Sequence, residues 1–248
     1  MGIFTNHGRA ATPPWVSEML NLVPLQALLR NPGKTRTREE KLIRINDRYY
    51  YHQPTQPGPS LFNEKCETAR LIKIRFGQLI TRREWAEFSY GLWAHDLYYS
   101  WFQGTYPHVT ALFEHSLIYS RISAIIDIMY MLGDGWVVVE IKSSPWRPEP
   151  SWVKQVSTYI YIAEQVGFRI IGAQIVAKDI VVNYDYMHIP FLSQSGRDGF
   201  NYLKSLPDKD WGEVRHNTEK CRICPYAKLC PIQRNYIQRS YAPMEALA

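Results

Sequence analysis

The chain has 248 residues, 46% hydrophobic and 21% charged, a balance that suits a soluble globular protein with one large core or a core carrying a small module. Its 29 Lys and Arg against 23 Asp and Glu leave a formal charge of +6, which is compatible with a polyanionic partner and equally with a solvated basic surface. No apolar run reaches the ~18 residues of a membrane span. The opening MGIFTNHGRAATPPW also lacks the pattern of a secretory signal, so a cytoplasmic protein is expected, with its four cysteines as thiols or ligands rather than disulfides.

In chain order, residues 1–60 read as a helical and basic extension. Prolines recur at Pro13, Pro14, Pro24 and Pro32, a short helical pattern runs from Val16 to Leu29, and Arg30 to Arg48 carries seven positive and three negative residues. A proline-rich loop, HQPTQPGPS, closes this part at Ser60. The spacing of Leu71, Ile72, Ile74, Phe76, Leu79 and Ile80 predicts one helix over Leu61 to Arg82, and a second is predicted from Trp85 to Phe102. Strands are predicted at Val109 to Tyr119, Ile122 to Leu132 and Trp136 to Ser143. Ser151 is a helix N-cap and Gly167 a helix stop, and FRIIGAQIVAKD follows as an apolar run of strand length. The order helix, three strands, helix, strand predicts an α/β sandwich with a mixed sheet over 61–205. Residues 206–248 form a C-terminal segment that holds three of the cysteines.

The GDG at 133–135 is a hairpin signal. With a two-residue turn, the pairing sets Asp127 on one face with Glu140 and Lys142, whereas a three-residue loop without a bulge would break that parity. Two carboxylates and a lysine in an apolar sheet are costly unless they hold something. Hard carboxylate oxygens suit Mg²⁺ or Mn²⁺, and the backbone carbonyl of Ile141 can complete part of the shell. A Glu140–Lys142 salt bridge at the sheet's end is the alternative. On the next helix Gln155 and Tyr159 lie four apart, on one face, beside the end of the Glu140 strand.

Asp127, then Glu140-Ile141-Lys142, then Gln155-x-x-x-Tyr159, with Gly91 and His95 upstream in GLWAH, resembles the RecB-like branch of the PD-(D/E)XK nuclease superfamily. The resemblance implies a metal-dependent nuclease core. His95, Asp127, Glu140 and the Ile141 carbonyl would be ligands of Mn²⁺ or Mg²⁺, Lys142 the lysine at the attacking water, and Gln155 and Tyr159 their polar neighbours. On its own, His95 reads as an ordinary core histidine. His115, twelve residues before Asp127, competes for the ligand role, and Glu114 beside it has the look of an active-site acid. The resemblance favours His95 and leaves Glu114 and His115 as strand residues near the groove.

Cys221, Cys224 and Cys230 are spaced C-x2-C-x5-C, and Cys66 lies 155 residues upstream. Four cysteines in this grouping argue for one metal site closed by thiolates, for which structural zinc is a general candidate. One cysteine before the nuclease motifs and three after them resembles the iron-sulfur nucleases. These include the fourth family of CRISPR-associated (Cas) proteins, the AddB nuclease and the Dna-two helicase-nuclease. That resemblance, over residues 62–232, implies an iron-sulfur cluster, 4Fe-4S favoured over 2Fe-2S, tying the start of the chain to its end. Only the Cas family among these is a small stand-alone nuclease, and no G-x-x-x-x-G-K-S/T motif is present. The chain departs from that family in having Glu67-Thr68 after Cys66, where Pro-Arg is common, and in its long N-terminal extension.

The resemblance implies cleavage of single-stranded DNA, or of DNA with single-stranded overhangs, as an exonuclease with some endonuclease activity. The setting implied is CRISPR spacer acquisition, trimming prespacer ends beside the integrase made of the first and second Cas proteins. A RecB-like nuclease of viral or repair origin and a non-catalytic iron-sulfur DNA-binding module are the alternatives. Nine aromatic rings between Trp85 and Tyr106 are expected mostly in the core, with two or three available to stack on bases. Lys73, Arg75, Arg82 and Arg83, with the basic stretch at 30–48, could follow the phosphates or form a solvated face.

Overall fold

A computed structural model describes residues 22–29, 43–44, 49–52, 56–145 and 150–216, together with Cys221, Cys224, Tyr226 and Cys230. The elements in chain order begin with α1 (Leu25–Leu29), β1 (Ile43–Arg44), β2 (Tyr49–His52) and a 3-10 turn at Pro59–Asn63. Next come α2 (Glu67–Phe76), β3 (Gln78–Thr81), α3 (Arg82–Thr105), β4 (Ala111–Tyr119), β5 (Ile122–Leu132) and β6 (Gly135–Ile141). The chain continues through α4 (Pro150–Gln165), β7 (Ile170–Val176), β8 (Val181–Tyr184) and α5 (Ile189–Ser205). This is an α/β fold around a five-stranded mixed sheet in the order β4-β5-β6-β7-β8. A small antiparallel sheet, β1-β2-β3, stands apart from it.

Tight turns build the first three strands. Ser120 and Arg121, both at positive φ, join β4 to β5, and Gly133-Asp134, with Gly133 at φ 60°, joins β5 to β6. The second turn has two residues, and Leu132 pairs with Gly135, so the odd-sum register expected of the GDG hairpin is the one observed. The α4 crossover then lets β7 run parallel to β6, while β8 returns antiparallel at the edge.

Helices cover both faces of the sheet. On one side Val156, Tyr159 and Ile160 of α4 and Leu192, Phe200 and Leu203 of α5 pack against Ile126, Val138 and Ile175. On the other, Ala94, Tyr98 and Phe102 of α3, with Leu25 of α1, cover Ile128, Tyr130, Val137 and Val139. Each such aliphatic side chain, fully buried, contributes about 1.5 to 3 kcal/mol. Within the N-terminal extension, Leu25 is fully buried and its N–H donates to the Ala177 carbonyl at 3.1 Å. The expected helix before Leu22 and most of the basic stretch lie outside the described residues.

One expected element is corrected. The single helix over Leu61 to Arg82 is three elements: the 3-10 turn, α2 and β3. Gly77, at φ 87°, ends α2 by donating its N–H to the Lys73 carbonyl, a left-handed stop that glycine adopts at little cost. Gln78–Thr81 then pairs with Tyr49–His52, so a distant strand partner takes residues whose apolar spacing continued the helix.

A second feature lies outside simple alternation. Ile122, Ala124 and Ile126 pack on the α4 side, yet Ile128, Tyr130 and Leu132, also at even positions, pack on the α3 side. β5 therefore turns over at Asp127. β4 does the same, because Phe113 packs on the α3 side and Leu117 on the α4 side, with Glu114 at φ 49° between them. The register is unchanged across the turnover: Phe113 pairs with Ile128 and His115 with Ile126.

The α4–α5 contact supplies a test of the packing. A Cβ at Gly196 would overlap the Ser157 carbonyl and approach Tyr161 Cβ to 2.9 Å. Because backbone cannot yield there, Gly196→Ala is expected to destabilise the chain by about 3 kcal/mol in urea unfolding. A loss below about 0.5 kcal/mol, within the range of an uneventful surface substitution, would show that the helices do not pack this closely.

Candidate active site

β6 is an interior strand, so its last residues have neighbours on both edges and helices on both faces. Glu140, next to the end of that strand, is only 4% exposed, and Asp127, at the turnover of β5, is 8% exposed. Asp127 Oδ2 accepts the Ile141 N–H at 2.7 Å, and Oδ1 lies 3.5 Å from the Tyr99 hydroxyl and 3.4 Å from His95 Nδ1. The other ring nitrogen of His95 is 3.1 Å from the Ile141 carbonyl oxygen. α3 delivers both ring residues, since His95 and Tyr99 are one helical turn apart.

α4 reaches the same point from the opposite face. Gln155 donates from Nε2 to Glu140 Oε1 at 2.8 Å and to the Tyr159 hydroxyl at 2.7 Å. Its Oε1 accepts from Lys142 Nζ at 2.9 Å and from Asn63 Nδ2 at 3.0 Å. Lys142 Nζ is also 2.6 Å from Glu140 Oε1 and 5.7 Å from the centre of the Trp152 ring. The salt bridge weighed as an alternative is thus present, but it occupies only one carboxylate oxygen. Glu140 Oε2 is buried with no hydrogen-bond partner.

Burial pushes the Asp127 carboxyl up to about 6, against the opposing effects of the Ile141 N–H and the Lys142 charge. Burial, then the charge of Asp127, pushes Glu140 up to about 7 although Lys142 opposes it. Burial likewise raises the Tyr159 hydroxyl well above its ordinary value, so it stays protonated near neutral pH. These groups open onto a cleft of about 810 Å³, bordered by the exposed Phe88 of α3 and Ile125 of β5.

His95, Asp127, Glu140, Ile141, Lys142, Gln155 and Tyr159 are therefore brought together. His115 is not: it pairs with Ile126 and its ring packs edge-on against Phe168, 5.9 Å away. Asn63, Tyr99 and Trp152 belong to the site and were not expected there. The i,i+4 spacing from His95 could have revealed Tyr99, whereas nothing local marks Asn63, which meets Gln155 across 92 residues.

Among the described residues no three His, Cys, Asp or Glu side chains form a ready-made metal shell. Two buried carboxylates, one orphaned oxygen and a nearby backbone carbonyl are nonetheless the hard-oxygen donor set that suits Mg²⁺ or Mn²⁺. Such an ion takes one or two carboxylates and completes its shell with water or phosphate.

The cysteines also converge. Cys66, the N-cap residue of α2, is buried in one cluster with Ile72, Tyr226 and Cys230, and Cys224 packs against it. None of the four cysteines is in a disulfide, and Cys221 Sγ lies 3.1 Å from His216 Nε2. Burial first, and the neighbouring thiols second, raises the Cys221 thiol, and burial also raises that of Cys224. A soft cation would reverse both effects. The buried His216 Nδ1 has no partner among the described residues.

No family model matches the chain, and no curated protein does. Among solved structures, "Crystal structure of SSO0001" aligns with 88% of this chain and 96% of its own at 16% identity, with a TM-score of 0.38. No helix among the described residues is long and apolar enough to cross a membrane.

Because burial raises both carboxyls, the folded chain binds more protons than the unfolded chain between pH 4 and 7, and stability must fall as pH rises through that window. The metal-free protein is expected to lose about 1 to 3 kcal/mol between pH 5 and 8, with a smaller loss in Glu140→Gln. Thermal melts across that range check it, and stability that rises with pH would contradict the burial account.

Proposed function

We propose that the chain is a metal-dependent DNA nuclease of the PD-(D/E)XK, RecB-like type. The observation that supports this reading best is the convergence of Asp127, Glu140 and Lys142 in a cleft where one buried carboxylate oxygen lacks a partner. Asp127, Glu140, the Ile141 carbonyl and His95 would hold Mg²⁺ or Mn²⁺. When bound, that ion would supply Lewis acidity toward a phosphodiester oxygen. Lys142, held by Glu140 and Gln155, places its ammonium at the cleft, where it can orient water and offset phosphate charge. Gln155 positions both Lys142 and Glu140, and Tyr159 fixes Gln155.

Single-stranded DNA is the substrate this reading favours. The cleft has apolar sides at Phe88 and Ile125 that suit unpaired bases, and an acidic floor that suits a cation-bridged phosphate. The order of motifs and the thiol grouping support a place beside the fourth Cas family, processing prespacer ends with the integrase of the first and second Cas proteins. Cys66, Cys221, Cys224 and Cys230 would hold an iron-sulfur cluster of the 4Fe-4S type. The non-catalytic alternative fits less well, since a retired site has no need to keep two acids buried against their solvation cost.

Asp127→Ala, Glu140→Ala and Lys142→Ala are each expected to lower cleavage of end-labelled single-stranded DNA with Mn²⁺ at least 100-fold while leaving DNA binding largely intact. His95→Ala should raise the Mn²⁺ concentration needed, and His115→Ala should not. Undiminished cleavage by the first three variants would remove the assignment.

The anaerobically purified protein is expected to be brown, with absorbance at roughly 400 nm from thiolate-to-iron charge transfer. Cys66→Ala or Cys230→Ala should be colourless and less stable, because cluster binding contributes folding free energy. Stoichiometric zinc without iron in the wild type would replace the cluster assignment and leave the nuclease reading standing.

A further inference from the structure

Three cations crowd one aromatic pair beside the cleft. Phe62 of the 3-10 turn and Tyr202 of α5 pack with ring centres 6.0 Å apart. Lys154 Nζ of α4 lies 5.0 Å from the Phe62 ring centre and 5.3 Å from that of Tyr202. The Arg70 guanidinium of α2 lies 5.9 Å and 5.5 Å from the same two rings, and Lys209 Nζ, just beyond α5, lies 5.1 Å from Tyr202. None of the three forms an ion pair with a carboxylate among the described residues. Glu64 nearby is taken by Lys73 at 3.1 Å, which leaves Glu67, close enough to interact with the charges of Arg70 and Lys209. One carboxylate set against Arg70, Lys154 and Lys209 leaves two positive charges in excess. The rings offset part of the repulsion among these cations, and an anion would remove the rest.

We propose that Arg70, Lys154 and Lys209 form a phosphate-binding site for the single DNA strand that enters or leaves the cleft. The inference rests on the nuclease reading of that cleft. Position favours a nucleic-acid strand as the occupant. Asn63, an exposed residue of the cleft wall, directly follows Phe62, and Gln155 of the cleft directly follows Lys154. The cluster therefore adjoins the cleft along two separate segments, and a strand with one phosphate at the acidic floor carries its neighbouring phosphates past this rim. The floor repels a phosphate until a cation is bound there, so affinity for the strand has to come from positive charge outside it. The cations are also held in place before any ligand arrives. Both lysines rest on rings, and Arg70 donates to the Glu64 carbonyl at 2.7 Å and to the Tyr202 hydroxyl at 2.8 Å, so little side-chain order is lost on binding. Contacts of this kind fix the register of a strand and carry no sequence preference.

The test is binding of a labelled oligothymidylate by the full-length protein across a salt series, without added metal so that no turnover intervenes. Lys154→Gln/Lys209→Gln is expected to weaken binding about 10-fold and to flatten the slope of log K against log salt by about 1.4, since each phosphate contact on a single strand contributes about 0.7. Lys154→Arg/Lys209→Arg keeps the charge and the ring contacts and should bind as the wild type does. Arg121→Gln/Arg197→Gln removes the same charge from exposed positions elsewhere and should leave the slope unchanged. If the first variant melts below the assay temperature, Lys209→Gln alone, which loses contact with one ring only, should flatten the slope by about 0.7. A wild-type slope in the folded lysine variant would overturn the site, and so would equal flattening in the Arg121→Gln/Arg197→Gln pair. The expected binding without any cleavage on adding Mn²⁺ would support the phosphate site and overturn the nuclease reading alone. No binding by the wild type at low salt would overturn both.

Discussion

Two carboxylates held almost out of water at the inner end of the central sheet constrain everything around them. An isolated buried carboxylate would be neutralised by a proton or expelled, so Asp127 and Glu140 persist only because α3, α4 and β6 each send polar groups to them. The backbone N–H of Ile141 reaches Asp127 only where β6 ends, since an N–H inside the ladder would be taken by the neighbouring strand. The site therefore sits at a strand end by necessity. Gln155 carries most of the remaining load: one side-chain amide touches Glu140, Lys142, Tyr159 and Asn63, fixing four groups from three parts of the chain.

The turnover of β4 and β5 explains how two helices on opposite faces reach one point. In a regularly alternating sheet, side chains from α3 and from α4 would be separated by the sheet itself. Because both strands switch faces at Glu114 and Asp127 while the register is kept, a cleft opens there between α3 and α4. His95 and Tyr99 enter from one side, Gln155 and Tyr159 from the other. The left-handed backbone of Glu114 is the local cost of that arrangement. Strain of this sort persists only where surrounding structure over-determines it, here by the ladders on either side.

Much of this was legible in the sequence, for physical reasons that differ from element to element. The GDG turn determines parity, and parity brings Asp127 to Glu140, so the centre of the site follows from one short hairpin. α4 was legible from its apolar face and from Gly167, at φ 99° just past its end, but its start is corrected: Ser151, expected as the N-cap, lies inside the helix, which begins at Pro150. β3 was not, because Leu79 and Ile80 keep the helical spacing and only Gly77, with a partner strand some thirty residues upstream, breaks it. The turnover was equally hidden: its sole mark is the φ of a glutamate, and residue identity does not reveal that. Asn63 was invisible because its role depends on a contact between segments far apart in the chain.

The two centres are also neighbours along the chain, which gives the thiol site a reach beyond its own packing. Asn63, which holds Gln155, is three residues before Cys66, and the segment between them is pinned from both sides. The Cys66 N–H lies 3.4 Å from Glu64 Oε1, Arg70 donates to the Glu64 carbonyl at 2.7 Å, and Lys73 pairs with the Glu64 carboxylate at 3.1 Å. Arg70 also donates to the Tyr202 hydroxyl at 2.8 Å, which ties α2 to α5. Order at Cys66 is thus transmitted over one short rigid stretch to the amide that positions Lys142 and Glu140. The packing of Cys66 against Tyr226 and Cys230 therefore steadies the acid site through Asn63 and Gln155, by chain connectivity and hydrogen bonds alone, without any change at the acids themselves.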